Sequence, residues 1–263
     1  PTIEAESIVL RVLDNKNIDK KLNDLGLSQD IYENLKDILK LTQGLILISG
    51  PTGSGKTTTL YSILKELNSD DKKIITVEDP IEYKIDSINQ VPINNKVGLS
   101  FELVLKNILR QDPDIIFIGE IRDKFSLDIA LQASLTGHLV LASIHASSSV
   151  ETITRLIDLK ADPFLISTTL KAVMAQRLVL AHCKSCENGC KKCNFTNFYD
   201  RTSISEILKV DEQISSLIFN KASFNELKEY LKNINFKTML DDGKQKVKDG
   251  LTTLEEVYKV VNF

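Results

Sequence analysis

The sequence predicts an α/β fold in which helices cover a largely parallel sheet, and three observations predict it. Short apolar runs of strand length alternate with stretches of helical periodicity between Leu45 and Ile144. A glycine-rich octapeptide, GPTGSGKT at 50–57, stands between the first such run and the first such helix. Acidic residues directly follow two later runs, in TVEDPIEY and IIFIGEIRD.

Composition narrows the class. A chain of 263 residues can bury a sizeable core in one large domain or two small ones, and 42% hydrophobic with 26% charged residues excludes wholesale disorder. The longest apolar runs, Leu45 to Ile48 and Ile115 to Ile118, fall far short of the ~20 residues that cross a bilayer. A net charge of −3 offers no global attraction for nucleic acid, so no stable nucleic-acid binding is expected. The first residue is Pro1, with no basic-then-apolar leader, from which we expect the numbering to start inside a longer protein. All four cysteines lie between 183 and 193, a clustering that points to a metal site in a reducing cytoplasm.

The elements follow in order. Residues 7–13 read as a strand, and 1–14 as the end of a truncated preceding domain. Residues 15–43 read as linker and entry helix, with Ser28 as cap and Ile31, Leu35, Ile38 and Leu39 at helical spacing. Strands at 45–49, 74–78, 115–119 and 139–144, with helices from 56 and over 101–110, place an α/β core at 44–180. Beyond Pro163 the strand signal fades. Thr168 to Arg177 reads as a last helix of either neighbouring part, and 181–200 as a cysteine element. Residues 201–263 read as a helical subdomain, with a capping box from Ser203 to Glu206 and helical periodicity over 236–247 and 253–261.

The octapeptide fits the P-loop pattern, with Gly50, Gly55, Lys56 and Thr57 in the fixed places, and its strand-then-helix context is the required one. Glycines let the loop curl so that backbone N–H groups face a phosphate, and the helix N-terminus adds partial positive charge. Gly50, Pro51, Thr52, Gly53, Ser54, Gly55, Lys56, Thr57 and Thr58 are therefore the candidate cradle for ATP. Lys56 would bridge the terminal phosphates, and the Thr57 hydroxyl would bind Mg²⁺. Glu120 follows a buried strand, where its carboxylate could hold that metal through water; the alternative is a solvated strand-end charge. Of Glu78, Asp79 and Glu82, one is expected to face the γ-phosphate, against simple solvation of all three. In GHLVLASIHA, His138 fits a packed or capping role, whereas His145 ends its strand at the carboxyl edge where parallel sheets gather ligands.

These pieces in this order resemble the secretion ATPase superfamily, specifically the GspE/PilB-type motors of type II secretion and type IV pilus assembly. The resemblance covers essentially the whole chain. TVEDPIEY is similar to the family's Asp box, LRQDPDIIFIGEIRD to its Walker B, and ALQASLTGHLVLASIHA to its His box. DRTSISEIL and DDGKQKVKDGLTTLEEV are similar to its C-terminal pattern, and PTIEAESIVLRVLD to the end of its preceding domain. The resemblance implies a P-loop NTPase core of RecA-like type and a homo-oligomeric ring, a hexamer, with ATP held between the preceding domain and this one. It implies a cytoplasmic motor, peripheral on the bacterial inner membrane, whose partners are platform and linker proteins of a secretion or pilus system. By position, Glu82 matches a glutamate that polarises water, Glu120 the metal-side glutamate, and His145 a γ-phosphate sensor. Arg11 and Arg110 match arginines that reach toward the phosphates, with surface ion pairing as the alternative for each. Lys106 stands where many relatives carry arginine, a point charge without the planar fork. The other readings are a nucleic-acid-stimulated P-loop motor, a DNA-uptake ATPase, and a non-hydrolysing scaffold.

Cys183, Cys186, Cys190 and Cys193 form C-x₂-C-x₃-C-x₂-C. Two such knuckles can present four thiolates tetrahedrally to Zn²⁺, and the spacing departs from the ferredoxin pattern; redox or empty thiols are the alternatives. The family usually separates its knuckles by a longer loop, whereas here only Glu187, Asn188 and Gly189 intervene, Gly189 permitting a tight turn. Lys184, Lys191 and Lys192 read as a solvated face or a nucleic-acid knuckle. By the family pattern, four cysteines favour assembly or secretion over pilus retraction.

Overall fold

The computed structural model describes residues 20–261. The run at 45–48 lies in a strand, β1 (Gly44–Ser49), that is buried throughout, and its side chains alternate between two cores. Leu45 and Leu47 enter one, Ile46 and Ile48 the other. A strand covered on both faces reads as a continuous apolar run, which is why the sequence shows no alternation here. The same alternation between the two cores holds for β2 (Ile74–Glu78), β4 (Ile115–Ile121) and β5 (Leu139–Ile144), with Gly119 and Glu120 of β4 half-buried. With β3 (Asn89–Pro92), β6 (Leu170–His182) and β7 (Phe198–Lys209) they build one sheet in the order β3-β2-β4-β5-β1-β6-β7. Every neighbouring pair is parallel except β6 with β7.

Helices close both faces. On one side lie α1 (Gln29–Ile38) and α2 (Lys56–Leu67), which bury Ile31, Leu35, Leu60, Ile63 and Leu64. On the other lie α3 (Phe101–Ile108), α4 (Lys124–Leu135), α5 (Ser149–Asp158), α6 (Pro163–Thr169), α7 (Glu212–Phe219) and α8 (Phe224–Asn233). A smaller cluster packs Met239 of α9 (Met239–Lys248) and Val257 of α10 (Leu254–Val260) onto Ala175 and Val179 of β6 and Ile204 of β7. Each fully buried Leu or Ile stabilises the fold by about 1.5–3 kcal/mol, so the alternating faces hold the sheet in register. Ser28 occupies the position before α1, but its hydroxyl donates to Asp242 of α9 instead of accepting from the helix's first turn.

Two expectations are corrected. Thr168 and Thr169 do end a helix, α6, but from Leu170 the chain is β6, a 13-residue strand. Ala172, Val173, Met174 and Ala175 are buried between β1 and β7 and show no period of two, and Ala, Met, Leu and Gln are good helix formers. Tertiary pairing overrides that propensity. Ser203 to Glu206 lies inside β7, not at a helix start; side chains three apart in a strand face opposite sides, so they cannot form a capping box. The sheet therefore runs through the expected boundary near 201, and α7 to α10 follow it. The strand expected at 7–13 lies outside the described residues.

Candidate functional site

The site grows from the carboxyl edge of the sheet. β1 ends at Ser49, and the loop 50–55 turns into α2 through Gly55, whose φ of 88° no β-carbon tolerates well. Behind the loop, Gln176 of β6 donates from Nε2 to the Ser54 carbonyl at 2.8 Å and accepts from the Thr59 hydroxyl at 2.9 Å. That amide is buried, so the curvature of the loop is fixed from outside it. Lys56 begins α2, and its Nζ donates to the carbonyls of Gly50 at 2.7 Å and Pro51 at 3.1 Å. Burial pushes the Lys56 ammonium below its ordinary pKa, Glu120 counters this, and Arg177 adds to it. A polyphosphate at the start of α2 would supply the compensating negative charge.

A cavity of about 600 Å³ opens in front of the loop, lined by Thr52, Gly53, Lys56, Thr57, Glu78, Asp79, Glu82, Glu120, Arg122 and His145 among others. The segments after four strands converge there because the ends of β1, β5, β4 and β2 are adjacent in the sheet. Glu120, near the end of β4, accepts from Arg122 Nε at 2.7 Å and lies 2.9 Å from His145 Nε2, just past β5. Hydrogen bonding to Glu120 holds the Arg122 guanidinium above its ordinary pKa. The Ser143 hydroxyl donates to the Gly119 carbonyl at 2.5 Å and ties β5 to β4 beside this pair. Glu78 is buried, with its carboxylate accepting from Tyr61, from Thr76 at 2.5 Å and from Gln90 at 3.3 Å. Its bonds are thus taken up inside the protein, and Asp79 and Glu82 remain as the acids of that segment with solvent-reachable side chains on the cavity.

Of the residues expected from sequence, Thr52, Gly53, Lys56, Thr57, Glu82, Glu120 and His145 share the cavity. Arg110 does not line it but stands exposed just past α3, and Lys106 pairs with Glu102 at 2.6 Å. Arg11 lies outside the described residues. His138 caps the end of α4 through the Ala133 carbonyl, 3.0 Å from Nδ1. Thr58 faces a second hollow of about 430 Å³ on the far side of the loop, with Gly55, Thr59, Gln176, Leu178 and Arg201. Four residues were missed. Arg122 was legible, two positions past Glu120 in the quoted run. Tyr61, Gln176 and Arg177 act across long sequence separations, and the last two fall in a stretch whose sequence favours a helix. Arg177 donates to the Ser147 carbonyl at 3.1 Å and so holds the loop after His145.

The four cysteines close the far end of the β6–β7 ribbon. Their Sγ atoms all lie within 4.8 Å of one another, with separations of 3.6, 3.8 and 3.9 Å for three pairs. A tetrahedron with Zn–S bonds of about 2.3 Å has edges of about 3.8 Å, so this donor set fits zinc. Gly189 makes the short turn between knuckles at φ 87°, where a β-carbon would stand 3.0 Å from Phe195 backbone. The Cys190 N–H donates to Cys193 Sγ at 3.2 Å and pulls that thiol down to about 6, while desolvation pushes Cys186 up to about 12. A thiol already drawn toward thiolate is a ready metal ligand.

A family model described as Type II/IV secretion system protein matches residues 1–259. The type II secretion system ATPase E of Vibrio cholerae is 41% identical over 286 residues, which span 99% of this chain and 57% of that relative. The type IV pilus assembly ATPase PilB of Thermus thermophilus is 39% identical over 285 residues, 98% of this chain and 32% of its own. Among solved structures, the pilus retraction motor PilT with bound ADP superimposes with a TM-score of 0.76 at 30% identity, covering 93% of this chain and 67% of that one. The chain thus spans little more than half the length of the type II relatives it matches.

Proposed function

The chain belongs to the type II/IV secretion system protein family, and from that premise and the site's geometry we propose that it is the ATP-hydrolysing part of a motor for type II protein secretion or type IV pilus assembly. One observation carries the reading. A single cavity joins the P-loop lysine to Glu82, Glu120 and His145, so phosphate grip and hydrolytic groups face the same space.

In this reading the loop N–H groups and the α2 N-terminus bind the ATP phosphates, and Lys56 leaves its own loop carbonyls for the terminal phosphates. Thr57 and Glu120 would hold Mg²⁺, which neutralises charge on the transferring group when bound. Glu82 orients the attacking water, and His145, bonded to Glu120, senses the γ-phosphate. The second hollow beside Thr58 and Thr59 takes the remainder of the nucleotide. Arg110 and Arg11 would serve from outside this cavity, as parts of a ring hexamer in which a neighbouring domain closes on the nucleotide. Cys183, Cys186, Cys190 and Cys193 would hold a structural Zn²⁺. Among the described residues no helix is long and apolar enough to cross a membrane, which suits a motor held on the inner membrane by platform and linker proteins.

The test is ATP turnover by the full-length protein. Lys56→Ala should lose nucleotide binding, whereas Glu120→Ala should keep binding and lose turnover about 100-fold or more. Equal turnover of Glu120→Ala and wild type, after correction for contaminating ATPase, would sink the assignment. Stimulation by anionic vesicles or a platform domain supports a secretion or pilus motor; stimulation by DNA or RNA instead supports a nucleic-acid motor.

A further inference from the structure

We propose that Tyr61 is a positioning residue for hydrolysis, holding Glu82 in place from the helix that grips the phosphates. The proposal rests on the reading of Glu82 as the water-orienting group. Glu82 lies on an irregular segment between β2 and β3, a stretch that has no strand or helix to fix it. Its backbone N–H donates to the Tyr61 hydroxyl at 3.2 Å, and that hydroxyl in turn donates to the buried Glu78 carboxylate. Tyr61 is fully buried on α2, five positions after Lys56, so the anchor belongs to the same rigid element as the phosphate site.

The surroundings define which way each bond runs. Glu78 accepts from Thr76 and Gln90 on one oxygen and from the Tyr61 hydroxyl on the other. Burial, with Glu78 adding to it, raises the phenol pKa well above its ordinary value, which keeps the proton on Tyr61. The lone pair left on the phenol faces the Glu82 N–H. The neighbouring ring of Tyr83 packs edge-on against Tyr61 at 4.4 Å between centroids, and Lys65, also on α2, sits 5.3 Å above it. Gln90 of β3 fixes the far side of the segment, accepting from Ile85 N–H at 2.7 Å and donating to the Tyr83 carbonyl at 3.1 Å. The segment is therefore clamped from two sides, and the clamp at Glu82 itself comes from α2. A hydroxyl at that one place couples phosphate binding to the placement of the hydrolytic acid. Phenylalanine would keep the ring packing and remove the coupling.

The experiment is a double-mutant cycle in the full-length protein, with ATP turnover and nucleotide affinity measured on Tyr61→Phe, Glu82→Gln and the pair. We expect Tyr61→Phe to lower kcat about tenfold or more with KM for ATP unchanged, since small misplacements at a reacting centre are costly. We expect it to cause no further loss once Glu82 is Gln. Wild-type kcat in Tyr61→Phe would overturn the proposal, as would the same fold loss in both backgrounds, which marks a general effect on folding. Unchanged turnover in Glu82→Gln would overturn the reading of Glu82, and this proposal with it. Should Tyr61→Phe not fold, Glu78→Gln loosens the same clamp from its other end, and its cycle with Glu82→Gln carries the same two outcomes.

Discussion

Gln176 illustrates how much of the P-loop's shape is decided outside the P-loop. Its amide satisfies the Ser54 carbonyl and the Thr59 hydroxyl at once, in a place with almost no solvent. Gln176→Ala would leave both without a partner, at a cost of about 1–3 kcal/mol for each buried unsatisfied group. The expected result is a lower unfolding temperature together with weaker nucleotide binding, because the loop that must present its N–H groups is no longer held. Gln176→Glu keeps the size but sets a carboxylate against the Ser54 carbonyl, and should weaken binding more than alanine does. Thermal unfolding with and without ATP separates the two contributions. A Gln176→Ala variant with wild-type affinity would mean that the glycines alone define the loop.

At the scale of elements, the C-terminal helices are held by their first turns. Ser223 and Glu226 form a capping box on α8, and Thr238 and Asp241 form one on α9. The cap hydroxyls hold Glu226 and Asp241 below their ordinary carboxylate values. A carboxylate with a depressed folded-state pKa stabilises above its unfolded pKa and loses that contribution as pH falls through the folded value. Stability of α8 and α9 should therefore decline as pH drops below about 4, and Asp241→Asn should flatten that decline. Denaturant melts between pH 3 and 6 test this, and an unchanged slope in Asp241→Asn would refute it. These two boxes and α10 are local features, and helical periodicity over 236–247 and 253–261 was enough to locate the last two helices. The strands β1, β2, β4 and β5 are equally legible, since each carries an apolar run, with Glu120 two residues past Ile118 and His145 directly past β5. β6 and β7 were not. Their identity depends on pairing with one another and with β1, and β6 carries Ala, Met, Leu and Gln, which by themselves favour a helix. The same cause hid part of the site: a helical reading of Gln176 and Arg177 takes them away from the sheet edge where they touch the P-loop and the loop after His145.

For the whole molecule, the β6–β7 ribbon is the connection between the proposed nucleotide site and the cysteine cluster. It is antiparallel from Ala172 with Lys209 to His182 with Phe198, and the cluster begins at the next residue, Cys183. Along its length Gln176 holds the P-loop, and Glu206 accepts from the N-terminal amides of both α5 and α9. Lys246 and Asp242 form a buried pair at 3.0 Å, with Asp242 also accepting from the Ser205 N–H, so α9 is bound to β7 as well. Removing metal from the cluster should then act as a local loosening with a gradient. Structural zinc supplies about 10 kcal/mol or more in small domains, but a zinc held by these cysteines would close one end of a ribbon whose other end is fixed in a large core. Treatment with a strong chelator, or Cys186→Ser with Cys190→Ser, should raise amide exchange at 178–182 and 198–203 and lower the unfolding temperature by several degrees. Amides of β1 and β5, deep in the sheet, should keep their protection, and Lys56 should still bind nucleotide. If chelation exposes β1 and β5 as readily as the ribbon's tip, the cluster is part of the global folding unit and the gradient argued here is wrong.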